Sequence, residues 1–353
     1  MPEESAEKRL QRTGGNIGNQ IIAHGLLSAL RYDEVSWDHS LGSAYVDSNF
    51  DIIVVAAANF LFEGFDFSGM ADFIEATNLP CVMVGLGAQS SNFSTDINIQ
   101  PGTQRLVQIV AERSTSIGVR GPFTADVLAR LGIKNVQVVG CPSYYLTCQP
   151  ELRFKERTPE PSRVVINGSR DVVRHSFDPE RMKVILRRLM KEAVSHSYDF
   201  VAQTELDEIR FSEADGDSSQ EVSFRNYESF FEGVATQDEL RMWLRSHVRA
   251  FWDVEEWFKA MPAYDFIIGT RFHGAIAGIE SGIPACVICH DTRTSEMCEF
   301  LGIPRLSLDE ATSLDIRSIF DRIDMTQTQR RYRQLYPDYK DFLESNNLPH
   351  RLR

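Results

Sequence analysis

The stretch YDFIIGTRFHGAIAGIESGIPACVICHD, residues 264–291, decides the fold class of this chain. It contains two short apolar runs, DFIIG (265–269) and PACVIC (284–289), with the length and composition of buried strands. Between them, HGAIAGIESG (273–282) has the small residues of a helix that packs closely on a sheet. A strand, a helix and a second strand in this order predict a parallel βαβ unit.

Similar apolar runs recur outward from this unit, with helical patterns between them. The further strand-like runs are DIIVVAAA (51–58), CVMVGLGAQ (81–89), STSIGVRG (114–121), NVQVVGCPS (135–143), RVVINGSR (163–170) and YDFVAQT (198–204). Because PELRFKERTPEPSR (150–163) carries three prolines and many charges, it is interpreted as a linker between two halves. The sequence therefore predicts an α/β fold of two Rossmann-like domains facing each other across a cleft.

The predicted domain boundaries follow from this alternation and from the length of 353 residues, which favours two domains. The acidic and aromatic segment 205–235 shows no clear periodicity, so we interpret it as an insertion, a mobile loop or a lid. The assignment along the chain is a polar tail (1–12), an N-terminal domain (13–150), the linker (151–163), a C-terminal domain (164–309) and a C-terminal helical segment (310–353).

The net charge of the chain limits the classes of molecule that it is expected to bind. The formal net charge of −13 at pH 7 disfavours a general nucleic-acid binder, because such a protein needs a basic surface. A site for an anionic substrate must then be a local cationic pocket. The cluster Arg330, Arg331 and Arg333 leaves a peripheral membrane contact open, although a solvated helix face is the simpler interpretation.

Cysteine usage and the start of the chain indicate a compartment. Cysteines such as Cys81 and Cys286 lie in apolar runs without a disulfide framework, which favours reduced thiols and a cytoplasmic protein. The start, MPEESAEKRLQRTGG, lacks the apolar core of a signal peptide. Every apolar run is also far shorter than the roughly 20 residues that span a bilayer.

Polar residues after the strand DFIIG form the strongest candidate site. Arg271 offers a fork of donors suited to carboxylate or phosphate, and His273 can transfer a proton near neutral pH. Gly274 opens a helix, whose free N–H groups add a further anion site. The alternative is a helix cap with a surface arginine and a core histidine.

Two further loops are candidates for anion binding. Arg120 ends a strand in GVRGPFTADVL (118–128), so its side chain is expected to point into the cleft, although a surface ion pair is equally compatible. The loop GGNIGNQ (14–20) precedes a helix and could cradle a phosphate, or it could be a tight turn without a ligand. Its candidate residues are Gly15, Asn16, Gly18 and Asn19. It matches neither the Walker nor the dinucleotide-binding pattern.

Three more strand ends carry polar side chains. Gln89 follows GLGA and Ser143 lies in GCPSYY, and structural turns are the alternative for both. The loop CHDTRTSEM (289–297) brings His290, Asp291 and Arg293 close together in sequence. A metal site built on the neighbouring cysteines is rejected, because residues at this spacing in a strand point to opposite faces. No metal and no cofactor are expected.

The order of these motifs carries a family resemblance. GNIGNQ near the start is followed by GLGAQ, then SIGVRGPFTADVL with LGI, then VVGCPS, and finally GTRFHGAIAGIESGIP. This order resembles the polysaccharide pyruvyl transferase family over about residues 14–303, except across the acidic insertion. RFHG and VRGP are its most specific parts.

The resemblance implies a fold and a set of roles. The fold is similar to that of the GT-B glycosyltransferases, the donor is phosphoenolpyruvate, and the acceptor is a pair of sugar hydroxyls. By resemblance, Arg120, Arg271 and His273 match the positions expected to hold the donor and serve the chemistry. Asp291 and Arg293 fall where the family often has an aspartate and a basic residue, usually lysine. The other candidate substrate-binding residues are Asn59, Gln89, Ser143, Phe272, Gly274 and His290.

One departure from the family follows the first strand. Many members have a glycine run where this chain has AAANF (56–60), and alanines hinder close backbone approach to a ligand. Asn59 offers side-chain hydrogen bonds in their place. The segment 205–235 is also unlike a compact member and would suit a lid for a particular acceptor.

The functional hypothesis is a bacterial pyruvyl transferase of exopolysaccharide or other polysaccharide biosynthesis, forming a pyruvate ketal on a sugar. Arg120 and Arg271 would clamp phosphoenolpyruvate, and His273 would donate a proton or stabilise the leaving phosphate. The acceptor is left open as free, lipid-linked or polymeric, and the oligomeric state is also left open. The alternatives are a GT-B-type glycosyltransferase that uses a nucleotide sugar and a non-catalytic sugar-binding protein of the same fold.

Overall fold

The computed structural model describes residues 4–38, 40–90, 92–213 and 219–353, without the side chains of 219–223. The chain forms two compact units, each assembled from three separate segments. The four-stranded unit comprises Ile22–Glu151, Ser295–Gly302 and Gln329–Arg353, and the six-stranded unit comprises Met1–Ile21, Leu152–Thr294 and Ile303–Thr328.

The four-stranded unit is built on a parallel sheet with the strand order β1-β2-β3-β4. Every residue of β2 is buried, as expected for a strand covered on both faces. The strands are β1 (Ile53–Ala56), β2 (Cys81–Leu86), β3 (Ile117–Val119) and β4 (Val136–Val138).

Helices come before, between and after the strands of this unit. Pro101 and Pro122 each open a helix, a position where the missing proline N–H costs no hydrogen bond. The helices are most of α2 (Asn19–Ala29), α3 (Ser43–Asn49), α4 (Ser68–Glu75), α5 (Pro101–Arg113), α6 (Pro122–Arg130) and most of α16 (Thr326–Ser345).

The six-stranded unit contains a parallel sheet with the order β10-β9-β8-β5-β6-β7. In its register, Asn167 lies opposite Gly269, and Ile268 lies opposite Cys286. The strands are β5 (Val164–Asn167), β6 (Asp199–Val201), β7 (Val248–Arg249), β8 (Phe266–Gly269), β9 (Ala285–Ile288) and β10 (Arg305–Leu306).

The helices of this unit begin at recognisable caps. Asp178 accepts a hydrogen bond from the Arg181 N–H at the start of α7, and Thr236 and Glu239 form a capping box at α10. The helices are α1 (Ala6–Arg12), α7 (Pro179–His196), α8 (Leu206–Ser212), α9 (Ser219–Phe230), α10 (Gln237–His247), α11 (Val254–Ala260), α12 (Phe272–Glu280), α14 (Leu308–Ser313) and α15 (Ile316–Arg322). Helix α13 (Thr292–Leu301) begins in this unit and ends in the other.

The predicted fold class, two parallel α/β units, is confirmed, but the units are not continuous in sequence. The predicted polar tail contains helix α1, and the loop 14–20 belongs to the six-stranded unit. The predicted helical segment 310–353 is divided between the units. Its last helix joins the four-stranded unit because its tyrosines pack there: the ring of Tyr339 stacks on Tyr145 at 4.3 Å between centroids.

The segment 205–235 is largely helical where the structure describes it, so the predicted mobile loop is wrong there, and the prediction of an insertion or a lid stays a prediction. It contains α8 and α9, and apolar side chains such as Phe211, Phe224 and Tyr227 are buried in the six-stranded unit. Both helices are short and carry polar residues, so their periodicity is weak in the sequence. Residues 214–218 lie outside the described residues.

Within the described residues, no helix is both long and apolar enough to span a membrane.

Candidate functional site

The carboxyl ends of strands β6, β5, β8 and β9 meet at one edge of the six-stranded sheet. The chain runs outward from β5 to β6 and β7 on one side and then from β8 to β10 on the other. The strand order therefore reverses between β5 and β8, and open parallel sheets bind ligands at such a point. Arg271 and His273, the strongest candidates from sequence, follow β8 directly.

Arg271 is held at this edge by two hydroxyl groups. Its Nη2 donates to Ser169 Oγ at 2.6 Å and to Thr204 Oγ1 at 2.9 Å. The residue is only 8% exposed, and its Nε has no hydrogen-bond partner in the described part of the chain. The guanidinium is thus fixed by one nitrogen, while other donors remain for a ligand.

A carboxylate lies behind these hydroxyls. Glu205 accepts hydrogen bonds from Ser169 Oγ at 2.7 Å, from Thr204 Oγ1 at 2.6 Å and from the Asp171 N–H at 2.9 Å. Burial opposes ionisation, but the charge of Arg271 and these donors outweigh it, so the pKa of Glu205 lies below its usual value. Glu205 is therefore a carboxylate near neutral pH.

His273 lies in the first turn of α12 and is 7% exposed. The ring of Phe272 meets its ring edge to face, with centroids 5.6 Å apart. The loop 14–20 reaches the same place. A Cβ added at Gly18 would lie 3.2 Å from His273 Cβ and 2.5 Å from Gln203 Oε1, so a larger residue here would force the Gln203 side chain to shift.

The loop 14–20 uses several of its own donors. The Gly18 N–H donates to Asn16 Oδ1 at 2.9 Å, the Gly15 N–H donates to the Leu10 carbonyl, and Asn19 Nδ2 donates to the Thr13 carbonyl at 2.9 Å. These bonds make the loop a compact turn beside His273. They do not leave it the open phosphate cradle that the sequence suggested.

Two buried amides complete this edge. Asn167 Nδ2 and both polar atoms of the Gln203 side chain have no hydrogen-bond partner within the described residues. Gly274 is required beside Asn167, because an added Cβ would lie 2.4 Å from Asn167 Cγ. Buried polar groups usually have hydrogen-bond partners, so these amides are candidates for contact with a polar ligand.

The loop after β9 adds a second arginine. Arg293 Nη2 lies 3.2 Å from Asp291 Oδ2, and Asp291 also accepts from the Thr294 N–H at 2.8 Å. Burial alone would raise the pKa of Asp291, but Arg293, His290 and Thr294 lower it to about 2. Burial, reinforced by the nearby arginines, lowers the pKa of His290 to about 4 despite Asp291, so its ring is neutral near pH 7.

In the four-stranded unit, Arg120 follows β3 as predicted, but its side chain does not extend outward. It is 1% exposed, and it donates from Nε to the Gly85 carbonyl at 2.7 Å and from Nη2 to the Ala57 carbonyl at 3.2 Å. The alternative of a surface arginine is therefore wrong, and an orientation towards a cleft stays a prediction. These bonds tie together the ends of β1, β2 and β3, and a role in holding the donor stays a prediction.

The other candidates of this unit make internal contacts. Asn59 Nδ2 donates to Gln89 Oε1 at 2.6 Å, which links the loops after β1 and β2. Ser143 is fully buried and donates to Cys141 Sγ at 3.0 Å, because its loop forms a 3-10 helix inside the unit. In the arginine cluster of α16, Arg331 lies over the ring of Phe300, so it is not simply a solvated charge.

Sequence reasoning missed Gln203 and the residues that hold Arg271. Ser169, Gln203, Thr204 and Glu205 follow β5 and β6, and the runs INGSR and VAQTE do place polar residues after strands. This signal was available, but the segment beginning at 205 looked like an insertion. The described residues contain no group of three or more His, Cys, Asp or Glu side chains suited to a metal ion.

A family model, polysaccharide pyruvyl transferase, matches residues 16–292 of the chain, which is most of its length. The match includes Arg271, His273 and the loop at Gly18. No curated protein matches the sequence significantly.

Solved structures resemble the chain only distantly. A Listeria monocytogenes protein assigned as a UDP-N-acetylglucosamine 2-epimerase has 12% identity and a TM-score of 0.47, covering 98% of this chain and 79% of its own. Anabaena HepE, solved with UDP and glucose, has 12% identity and a TM-score of 0.41, covering 86% and 77%. The Methanocaldococcus jannaschii UDP-GlcNAc 2-epimerase has 11% identity and a TM-score of 0.41, covering 90% and 81%.

Proposed function

The chain belongs to the polysaccharide pyruvyl transferase family and is a transferase with a sugar acceptor, and we propose that its donor is phosphoenolpyruvate and its product a pyruvate ketal. The edge of the six-stranded sheet around Arg271 and His273 would bind the donor. The acceptor would be a sugar of a polysaccharide or of its precursor.

The proposed reaction balances without an oxidant or reductant. The methylene carbon of phosphoenolpyruvate takes up a proton and becomes a methyl group, which leaves positive charge on the central carbon. Two hydroxyl oxygens of the sugar bond to that carbon, and its bond to the phosphate oxygen breaks. One hydroxyl proton replaces the proton given to the methyl group, and the other leaves with inorganic phosphate.

The observation that carries this proposal is the hydrogen-bonding edge beside a histidine. Arg271 keeps an Nε without a partner in the described residues, and Asn167 and Gln203 supply buried amide groups that also lack partners there. A compact dianion with a carboxylate and a phosphate matches such a donor-rich surface. His273 lies in the first turn of the helix that follows Arg271.

We assign separate roles to the two central residues. Arg271 would bind an anionic group of the donor and hold it for attack, because a guanidinium presents donors in a fixed plane. His273 would transfer the proton or stabilise the departing phosphate, since imidazole exchanges protons near neutral pH.

The test is a reaction of the purified chain with phosphoenolpyruvate and a panel of sugars, both free and lipid-linked. We expect one inorganic phosphate for each ketal, with the product mass increased by pyruvate less water. A parallel reaction supplies UDP- and GDP-sugars in place of phosphoenolpyruvate. Release of nucleotide with sugar transfer, and none with phosphoenolpyruvate, would replace this proposal by the glycosyltransferase alternative.

A matched pair of histidine variants controls for non-specific effects. His273→Gln should slow phosphate release by about two or more orders of magnitude, while His196→Gln, at the exposed end of α7, should leave the rate unchanged. Equal rates for both variants would remove His273 from the reaction.

A further inference from the structure

We propose that Glu205 is a positioning residue for Arg271, acting through the hydroxyl groups of Ser169 and Thr204. This inference rests on the proposed function, because the anion that Arg271 receives is taken to be phosphoenolpyruvate. Glu205 itself lies one step away from the donor and would act on its orientation rather than on the reacting bonds.

The hydrogen bonds run in one direction from the arginine to the carboxylate. Arg271 Nη2 donates to Ser169 Oγ and to Thr204 Oγ1, at 2.6 and 2.9 Å. Each hydroxyl then has its own proton to give, and each gives it to Glu205, at 2.7 Å for Ser169 and 2.6 Å for Thr204. Because a hydroxyl has a single proton, the two carboxylate oxygens determine which way both hydroxyls point, and so keep their lone pairs facing the guanidinium.

This arrangement assigns the nitrogens of Arg271 to different tasks. Nη2 is used by the two hydroxyls, while Nε and Nη1 make no hydrogen bond with any residue that the structure describes. A free arginine side chain samples many rotamers, and fixing one nitrogen from two sides removes much of that freedom. The remaining donors are then set in one plane before a ligand arrives.

Glu205 is itself fixed from a third direction. Its Oε1 accepts from the Asp171 N–H at 2.9 Å, and Glu205 is the residue that directly precedes α8. The side chain of Asp171 contributes less directly, since its Oδ2 lies 3.7 Å from Arg271 Nη2. The carboxylate therefore connects the loops after β5 and β6 to the arginine after β8.

Charge and orientation make opposite predictions for this residue. A carboxylate near an anion site repels the anion, so on charge alone its removal would strengthen binding of phosphoenolpyruvate. If Glu205 acts by positioning Arg271, its removal must weaken binding and turnover instead. The sign of the effect separates the two roles.

The experiment compares the wild-type chain with Glu205→Ala and Glu205→Gln, using steady-state kinetics with the donor and the sugar varied in turn, and calorimetric binding of phosphoenolpyruvate and of inorganic phosphate. We expect kcat/KM for phosphoenolpyruvate to fall by about tenfold to a hundredfold in Glu205→Ala, the range for small misplacement of a binding group. Glu205→Gln, which keeps one acceptor oxygen, should lose less. The KM for the sugar should not change.

The matched control is Glu192→Gln. Glu192 is a half-buried carboxyl on α7 that accepts from the Ile316 N–H at 2.9 Å and, among the described residues, makes no hydrogen bond or ion pair with Glu205 or Arg271. It should keep wild-type kinetics. Thermal unfolding of all variants identifies any that fail to fold, in which case Glu205→Gln is the variant that decides.

A double-mutant cycle gives the sharpest outcome. In an Arg271→Ala background, Glu205→Ala should have no further effect, because the residue that it positions is gone. An equal loss in both backgrounds, or tighter binding of phosphoenolpyruvate by a folded Glu205→Ala, would overturn the positioning role. If the wild-type chain has no turnover with phosphoenolpyruvate, the proposed function fails. The same cycle is then measured by the binding of inorganic phosphate, and additive losses of affinity would overturn the positioning role of Glu205.

Discussion

The two α/β units each place a buried arginine after a strand, and the two arginines have different partners. Arg120, after β3, donates to the main-chain carbonyls of Gly85 and Ala57. Arg271, after β8, donates to the side-chain hydroxyls of Ser169 and Thr204 and keeps an Nε without a partner in the described residues. The main-chain carbonyls that hold Arg120 can move only with their strands, so we interpret Arg120 as stabilising the ends of those strands. The hydroxyls that hold Arg271 belong to side chains, which other residues can orient.

This difference shows that a sequence motif at a strand end predicts the position of an arginine but not its hydrogen-bond partners. Both arginines lie two residues after a glycine and precede a helix, so the local sequence gives each the same position. The availability of a guanidinium depends on which acceptors surround it, and these come from distant parts of the chain. The predictions below test whether activity depends mainly on the six-stranded edge and stability on the four-stranded edge.

The largest expected effect is on Arg271. Arg271→Lys should lower kcat/KM for phosphoenolpyruvate by about a hundredfold to a thousandfold, because an ammonium cannot contact both hydroxyls and still present donors in a plane. Steady-state kinetics measure the loss, and circular dichroism checks the fold. A variant within a few-fold of wild type would show that the two arginines do not differ in the way described.

His273 comes next. His273→Ala should slow turnover by about two or more orders of magnitude, the usual scale for a general acid–base group. Its effect should lie in kcat more than in KM for the donor. A rate loss that appears only in KM would make His273 a binding residue and leave proton transfer to another group.

The buried polar groups of the six-stranded edge should make its stability depend on pH. The pKa of His290 is about 4 in the fold, against 6.5 for an ordinary histidine, because burial penalises its charged form. Between pH 4 and pH 6.5, His290 therefore binds a proton in the unfolded chain but not in the folded chain. Its contribution to the free energy of unfolding is complete above pH 6.5 and is lost as the pH falls towards 4. The loss should approach about 3 kcal/mol.

Denaturation of His290→Asn at several pH values checks this prediction. The free energy of unfolding of the variant should change less with pH between 4 and 6.5. Some pH dependence should remain, because the charges of Asp291, Arg293 and Arg271 also act at this position. An unchanged profile would assign the pH dependence to other groups.

In the four-stranded edge the expected loss is in stability. Arg120→Met should lower the free energy of unfolding by about 2 kcal/mol, because two buried carbonyls lose a charged donor. Arg271→Met, as the matched variant, should cost less, since its hydroxyl partners can still bond to Glu205. Equal losses in chemical denaturation would remove the contrast between the units.

The smallest effect concerns Asn59. Asn59→Ala removes its hydrogen bond to Gln89 and should cost about 1 kcal/mol of stability. Its kcat/KM should stay near that of the wild type if the amide pair only links two loops. A large drop in activity would return Asn59 to the substrate-binding residues.

Much of the fold could be predicted from the sequence, because apolar strands and intervening helices are local patterns. The runs at 264–291 gave β8, α12 and β9, and they placed Arg271 and His273 at a strand end. The unit boundaries were harder. Whether α16 packs on one unit or the other depends on contacts such as Tyr339 on Tyr145, which lie far apart in the chain.

Only part of the site could be predicted, because its contacts also join residues that lie far apart in the chain. The loop at Gly18 was recognised as a glycine loop, but its contact with Gln203 and His273 depends on how its segment joins the six-stranded unit. Glu205 was hidden in a segment whose short helices lack a clear period. Its role depends on Ser169 and Thr204, and such a chain of hydrogen bonds has no signature in sequence.

The most direct test of the central claim is calorimetric titration of phosphoenolpyruvate into the wild-type chain, Arg271→Ala and Arg120→Lys. The account predicts binding to the wild type, a loss of at least about tenfold in affinity for Arg271→Ala, and near wild-type affinity for folded Arg120→Lys. Binding that survives in Arg271→Ala and disappears in a folded Arg120→Lys would contradict it and place the donor at the four-stranded edge.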